Sequence, residues 1–236
     1  MKSSYDTLLV VNDLGELAKL VRYYILLMTT TAGSGHPTSS LSATDLAVAL
    51  FFEKLRFDVK NPKNLANDRV IFSKGHVSPL VYALWTVAGV LSEKDLATYR
   101  KFGSVLEGHP RPNFEHVDVA TGSLGQGLSV GVGMALGLQG TSMRGQVANS
   151  VPKVYVLMGD SEVSEGSVWE ACEIAGYYKL SNLVGIIDVN RLGQSGETMI
   201  GSDVETYKAR VEVFGWDAYV VDGHDLSAIR EVFEKI

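Results

Sequence analysis

Two short, β-rich apolar runs stand one helix apart in the second half of the chain: VYVLM at 154–158 and LVGII at 183–187. Runs of this kind belong to strands buried on both faces, as in a parallel sheet. Between them Val168, Cys172 and Ala175 mark one face of a helix. A strand, a crossover helix and a second strand leave little topological choice. The alternation continues with a helix near 207–214, a strand at 218–221 and a last helix over 226–236. The prediction is an α/β fold, a mainly parallel sheet with helices on both faces.

The first half is mostly helical. Asp13 and Glu16 form a capping-box pattern, after which Leu14, Leu17, Val21, Ile25 and Met28 follow a helical period. That helix should stop at the break Ala32-Gly33-Ser34-Gly35. A second helix is expected from near Ser42 through LAVALFFEKL, apolar nearly all round and therefore buried. RVIF at 69–72 predicts a strand, and helices are expected over 79–87 and 93–100. With 46% hydrophobic and 20% charged residues and no repeat or linker, residues 1–236 are expected to form one globular domain.

Composition also excludes classes. A net charge of −6 supplies no global positive field for nucleic acid. No apolar run reaches the roughly eighteen residues of a membrane span, and the first residues lack the layout of a secretory signal. The single cysteine, Cys172, cannot close an internal disulfide. A cytoplasmic protein with neither a membrane nor a nucleic-acid partner is expected. Cys172 itself sits in an apolar helical pattern with no histidine nearby in sequence, as a packing residue would.

The chemistry concentrates after the first of the two apolar strands, at Gly159-Asp160-Ser161, followed by Glu165-Gly166 and a helix. Ligands of open parallel sheets bind beyond the carboxyl ends of the strands. The next strand ends at Asp188-Val189-Asn190, so one crossover brings Asp160 and Asn190 to the same sheet edge. Two hard oxygen ligands beside a glycine turn and a helix amino terminus suit Mg²⁺ or Ca²⁺ bridging a diphosphate. Taken singly, Asp160 reads as a helix cap and Asn190 as a turn residue, and it is their shared sheet edge that reverses this preference. Neither a GxGxxG fingerprint nor a P-loop is present. Four of the five histidines follow glycine, and three of these, His36, His76 and His109, fall in breaks between helical patterns. There an imidazole can face a cleft and serve proton transfer or hydroxyl binding. His224 is assigned a structural role. Gly122 to Leu124 precede a glycine-rich helix and could approach a flat ring closely.

Six segments, SGHP (34–37), DRVIFSKGH (68–76), EGHP (107–110), ATGSLGQGL (120–128), GDSEVSEGSVWEA (159–171) and DVNRLGQSG (188–196), resemble transketolases in order and spacing. The resemblance implies a thiamine-diphosphate-binding domain that needs Mg²⁺ (or Ca²⁺) and transfers a two-carbon ketol unit between sugar phosphates. By matching position, Asp160, Asn190 and the carbonyl of Leu192 would hold the metal. Lys74, His76, Gly159, Ser161 and Gln194 would lie with the cofactor, and Gly122, Ser123 and Leu124 by its aminopyrimidine. His36 and His109 would bind substrate hydroxyls and move protons as catalytic residues, and Glu165, also catalytic and cofactor-binding, would join the carboxylate network linking paired active sites. The family usually has glycine where Ser161 stands. A left-handed backbone there would cost serine about 1 kcal/mol or more. The pyrimidine-binding and C-terminal domains are expected on a partner chain, in an α₂β₂ assembly. The alternatives are the α-type subunit of another two-chain thiamine enzyme and a non-catalytic cofactor-binding scaffold.

Overall fold

The computed structural model describes residues 13–143 and 151–236. The first twelve residues, where a secretory signal would begin, lie outside the described residues. In chain order the elements are α1 (Leu14–Ala32), α2 (Pro37–Ser42), α3 (Thr44–Ala49) continued by a π-turn (Leu50–Lys54), β1 (Arg69–Phe72), α4 (Ser78–Val87) and α5 (Glu93–Leu96). Then come α6 (Gln126–Met143), β2 (Val154–Gly159), α7 (Gly166–Tyr177), β3 (Leu183–Asp188), α8 (Val204–Glu212) and α9 (Leu226–Lys235). They group into two compact units. The helical unit comprises residues up to 64 with 75–120 and 221–236; the sheet unit comprises 65–74 and 121–220.

In the helical unit α1 starts as its sequence predicts, with the Asp13 carboxylate accepting from the amides of Gly15 and Glu16 at 2.6 and 3.3 Å. The box is not reciprocal, because Glu16 turns to Lys19 at 2.6 Å. Gly33, at φ 60, closes the helix in the left-handed conformation. Val21, Ile25 and Met28 are buried, as is every residue of α4. Each fully buried aliphatic side chain, such as Leu80 or Leu84, contributes roughly 1.5–3 kcal/mol.

Two expected helices differ in this unit. The one expected from Ser42 starts at Thr44 and is divided into α3 and the π-turn, while a short helix not expected, α2, precedes it. Ser40 and Thr44 donate their hydroxyls back to the carbonyls of His36 and Ser40, which competes with regular helix propagation. Asp45 is drawn away to Arg22, at 2.9 and 2.5 Å, and to His224 Nδ1 at 2.9 Å. That trio joins α1, α3 and the turn before α9, the structural role expected of His224. The helix expected over 93–100 stops after one turn: the amides of Thr98 and Tyr99 already bond three residues back, to Asp95 and Leu96, and Arg100 then takes φ 58 and donates its amide to Leu106.

The sheet unit carries three parallel strands in the order β1-β2-β3. Phe72 pairs with Leu157, and Gly159 with Asp188. Every residue of β2 is buried. Helix α6 rests on the face of Val154, Val156 and Leu183, and Gly131 is the residue that lets it approach. Cys172 is buried, which pushes its thiol up to about 11, and its carbonyl accepts from Trp216 Nε1 at 3.0 Å. Packing is its observed use. The run 218–221 is not a strand: it joins no β-ladder of the described residues, and Tyr219 and Val220 remain nearly half exposed. Apolar character alone does not make a strand where no ladder receives it.

Candidate functional site

The sheet unit gathers its polar groups where its strands end. Beyond β1 the amides of Ser73 and Lys74 both donate to the carbonyl of Leu157, at 2.8 and 3.3 Å. This bends the chain and leaves the Lys74 ammonium fully buried against the Asp188 carboxylate at the end of β3. A buried pair of this kind is costly to break, about 3–5 kcal/mol when one partner is removed. One residue past β2, Asp160 is 2% exposed. Its carboxylate accepts from the amide of Ser161 at 2.9 Å, the amide of Arg191 at 2.6 Å and the Thr198 hydroxyl at 3.3 Å. A carboxylate has about four acceptor positions, so capacity for a cation remains.

The loop after β3 is shaped around the same carboxylate. Arg191 adopts φ 66, a conformation that costs a non-glycine residue about 1–2 kcal/mol and directs the Asn190–Leu192 segment. Asn190 Oδ1 accepts from the Leu192 amide at 2.9 Å, and its Nδ2 donates to Asp188 at 3.3 Å. Among the described residues no group of three or more His, Cys, Asp or Glu side chains forms a metal cluster. A cation here would rely on one carboxylate, one carboxamide oxygen and backbone or ligand oxygens. Magnesium and calcium accept that hard, sparse donor set, and zinc does not prefer it. The residues present therefore fit a hard divalent ion with a diphosphate.

Ser161 resolves a sequence-level concern. Its backbone is right-handed, φ −65 and ψ −37, so the cost expected for a left-handed serine does not arise. Glu165 is exposed before α7 and makes no capping bond. It lies beside the loop of Gly122 to Leu124, since a Cβ added at Gly125 would come 2.6 Å from Glu165 Cβ. Gly122 itself has φ 134, which glycine alone enters freely. Ser123 and Gln194 are exposed and stand apart from this hydrogen-bond network.

Glu162 is the residue that sequence reasoning missed. It is 1% exposed and accepts from the Ser73 hydroxyl, the Gly125 amide at 2.9 Å and the Gly159 amide at 3.0 Å. One carboxylate thus ties the end of β1, the 122–125 loop and the glycine turn after β2. Its only sequence signal was a second acid two positions beyond Asp160.

In the helical unit His36 and His76 meet edge to face, with ring centroids 5.3 Å apart, and His76 Nε2 bonds the Ser39 hydroxyl at 2.9 Å. Partial burial, then Arg100, then His36 hold the His109 imidazole below the ordinary histidine range. The structure thus brings together His36 and His76, whose convergence spacing could not establish.

Residues 15–236 match the family described as "Transketolase, thiamine diphosphate binding domain". The chain belongs to the transketolase family. It is 47% identical to rat transketolase over 221 residues, 93% of this chain and 34% of that protein. It is also 40% identical over 205 residues to one of the subunits of the apulose-4-phosphate transketolase of Phocaeicola vulgatus, 87% of this chain and 70% of that polypeptide. Transketolase from Campylobacter jejuni superposes with a TM-score of 0.86 at 33% identity, over 96% of this chain and 36% of that one. Transketolase from Leishmania mexicana gives 0.88 at 28% identity, over 95% and 34%. The chain therefore spans about a third of the full-length transketolases it matches. No helix among the described residues is long and apolar enough to cross a membrane.

Proposed function

We propose that this chain is the diphosphate-binding subunit of a two-chain transketolase, moving a two-carbon ketol unit from a ketose phosphate to an aldose phosphate. The observation that carries the cofactor reading is the bonded corner of Asp160, Asn190, Lys74 and Asp188 at the sheet edge, in which Asp160 and Lys74 are buried. The two-chain reading is supported by the likeness to a polypeptide that is itself named as one subunit of a transketolase. A pyrimidine-binding partner, an α₂β₂ assembly, sugar phosphate substrates, a cytoplasmic location and a place in pentose phosphate metabolism belong to the same proposal. So does the treatment of residues 1–236 as one domain, since a single family match runs through both units.

In this reading Asp160, the Asn190 side chain and the Leu192 carbonyl hold Mg²⁺. Lys74, His76, Gly159, Ser161 and Gln194 face the cofactor diphosphate, and Gly122 to Leu124 face its aminopyrimidine. Thiamine diphosphate supplies the electron sink when bound. The protein's own residues do the rest. His36 and His109 bind substrate hydroxyls and move protons at the reacting carbons. A neutral His109 offers one donor and one acceptor nitrogen for that work at ordinary pH. Glu165 extends a carboxylate contact toward the partner chain and the cofactor. The scaffold alternative loses its main support, because Ser161 occupies an unstrained conformation.

The test is ketol transfer from xylulose 5-phosphate to ribose 5-phosphate with thiamine diphosphate and Mg²⁺, using the chain alone and with the product of its neighbouring gene. Activity only in the mixture supports the proposal. A stable, cofactor-loaded complex without turnover would shift the assignment to another donor sugar or another two-chain thiamine enzyme.

A further inference from the structure

His36 and His109 each follow a glycine, and the two glycines lie against neighbouring residues, Gly35 against Thr29 and Tyr99 and Gly108 against Arg100. A Cβ added at Gly35 would come 2.8 Å from Thr29 Cγ2 and 3.5 Å from the Tyr99 hydroxyl. One added at Gly108 would come 2.7 Å from both Nε and Nη2 of Arg100. A run of hydrogen bonds connects the two turns. Arg100 Nη1 donates to Ser34 Oγ at 2.7 Å, and Arg100 Nε donates to the Tyr99 hydroxyl at 3.2 Å. Tyr99 and Ser78 hydroxyls bond at 3.1 Å, and Ser78 donates to the Gly108 carbonyl at 2.9 Å. Ser78 has a single hydroxyl proton, so Tyr99 donates to Ser78 and accepts from Arg100. All donors therefore point the same way from Arg100 to Gly108, the arrangement in which successive bonds reinforce one another.

Arg100 is also fixed from behind. Its backbone sits at φ 58 and its amide donates to Leu106 at 2.9 Å. A bulky residue stays in that region only where its surroundings over-determine it. Tyr99, the relay, is 1% exposed.

We propose that Arg100 is a positioning residue for the candidate substrate histidines: acting directly on Ser34 and through Tyr99 and Ser78 on Gly108, its guanidinium fixes the spacing of the two glycine–histidine turns. The proposal rests on the ketol-transfer reading only for why His36 and His109 matter. The same cation helps to hold His109 neutral, after burial and ahead of His36. These are the groups that bear on His109 from other segments. On its own segment Glu107 is engaged by Arg111 at 3.1 Å and Asn113 at 2.9 Å. Position and protonation state are thereby set by one side chain.

The experiment is an NMR titration of His109, with amide exchange at Ser34 and position 100, in the wild-type chain and in Arg100→Met, Arg100→Lys and Tyr99→Phe. It needs neither cofactor nor partner, so its outcome is independent of the assigned reaction. Arg100→Met should raise the His109 midpoint toward the ordinary histidine value and speed exchange at both amides about tenfold. Arg100→Lys should keep the midpoint low, because a cation remains, yet speed exchange, because an ammonium lacks the planar fork. Tyr99→Phe should resemble Arg100→Lys, since it breaks the relay and keeps the charge. Wild-type exchange in Tyr99→Phe overturns the bracket even where Arg100→Met fails to fold. An unchanged His109 midpoint in a folded Arg100→Met overturns the electrostatic part.

Discussion

The helical and sheet units solve the same problem, fixing polar groups for chemistry, by opposite means. In the sheet unit, position comes from the ladder: β2 and β3 pair Gly159 with Asp188, and the residues that follow emerge side by side. Asp160, Glu162 and Lys74 are buried there, Lys74 engaged by Asp188 and the two acids by backbone amides and hydroxyls. The described residues of the helical unit form no ladder, and His36, His76 and His109 sit in turns held by side-chain hydroxyls, a guanidinium and each other. A strand end fixes groups through backbone geometry, and a loop must borrow that rigidity from distant side chains.

The strongest test of this contrast is Asp160→Ala. It should weaken cofactor binding in the assembled enzyme at least about 100-fold, since few protein groups can replace an Mg²⁺ ligand. Titration of thiamine diphosphate by calorimetry checks it, and unchanged affinity would remove Asp160 from the metal site. His109→Ala is the counterpart from the loop side. Turnover should fall about 100-fold or more while cofactor affinity stays near wild type; an equal loss in both would make His109 a cofactor or folding residue.

Asp45→Asn probes the ion trio that braces the helical unit. Burial disfavours the Asp45 charge, but Arg22 and then His224 outweigh it, and the carboxyl titrates below the usual range. A depressed carboxylate contributes stability that is present above its unfolded-state pKa and lost as pH falls through the folded-state value. Urea unfolding at neutral pH should show a loss of about 1–3 kcal/mol, and the gap between variant and wild type should close in acid. A gap that persists in acid would assign the effect to packing. The smallest effect belongs to Ser161→Gly. Because Ser161 is right-handed, glycine should change stability by about 1 kcal/mol or less and leave cofactor affinity alone. A marked gain in affinity would show that the serine side chain obstructs the diphosphate.

The same contrast explains what the sequence disclosed. Asp160 and Asn190 were readable because period and crossover length place strand ends without any knowledge of side-chain contacts. The convergence of His36 and His76 was not, because it depends on side-chain contacts such as that of His76 with Ser39. Glu162 escaped for the same reason: Ser73, 89 positions away, is what makes it a latch. The run 218–221 misled because hydrophobicity reports a wish for burial and says nothing of an available edge. After α5 ends, the chain turns at Arg100, whose left-handed backbone no propensity would suggest.

The bend at Leu157, whose carbonyl receives two successive amides from beyond β1, has a consequence for how this chain can vary in length. A single residue inserted within Arg69–Phe72 would exchange the faces of every side chain after it. Lys74 would then swing off Asp188, and Ser73 off Glu162. The loop before β1 carries no strand register, and loops absorb added residues at small entropic cost. Evolution and engineering can lengthen the approach to this strand at exposed positions such as Lys60 or Leu65, but within the strand itself they must count residues.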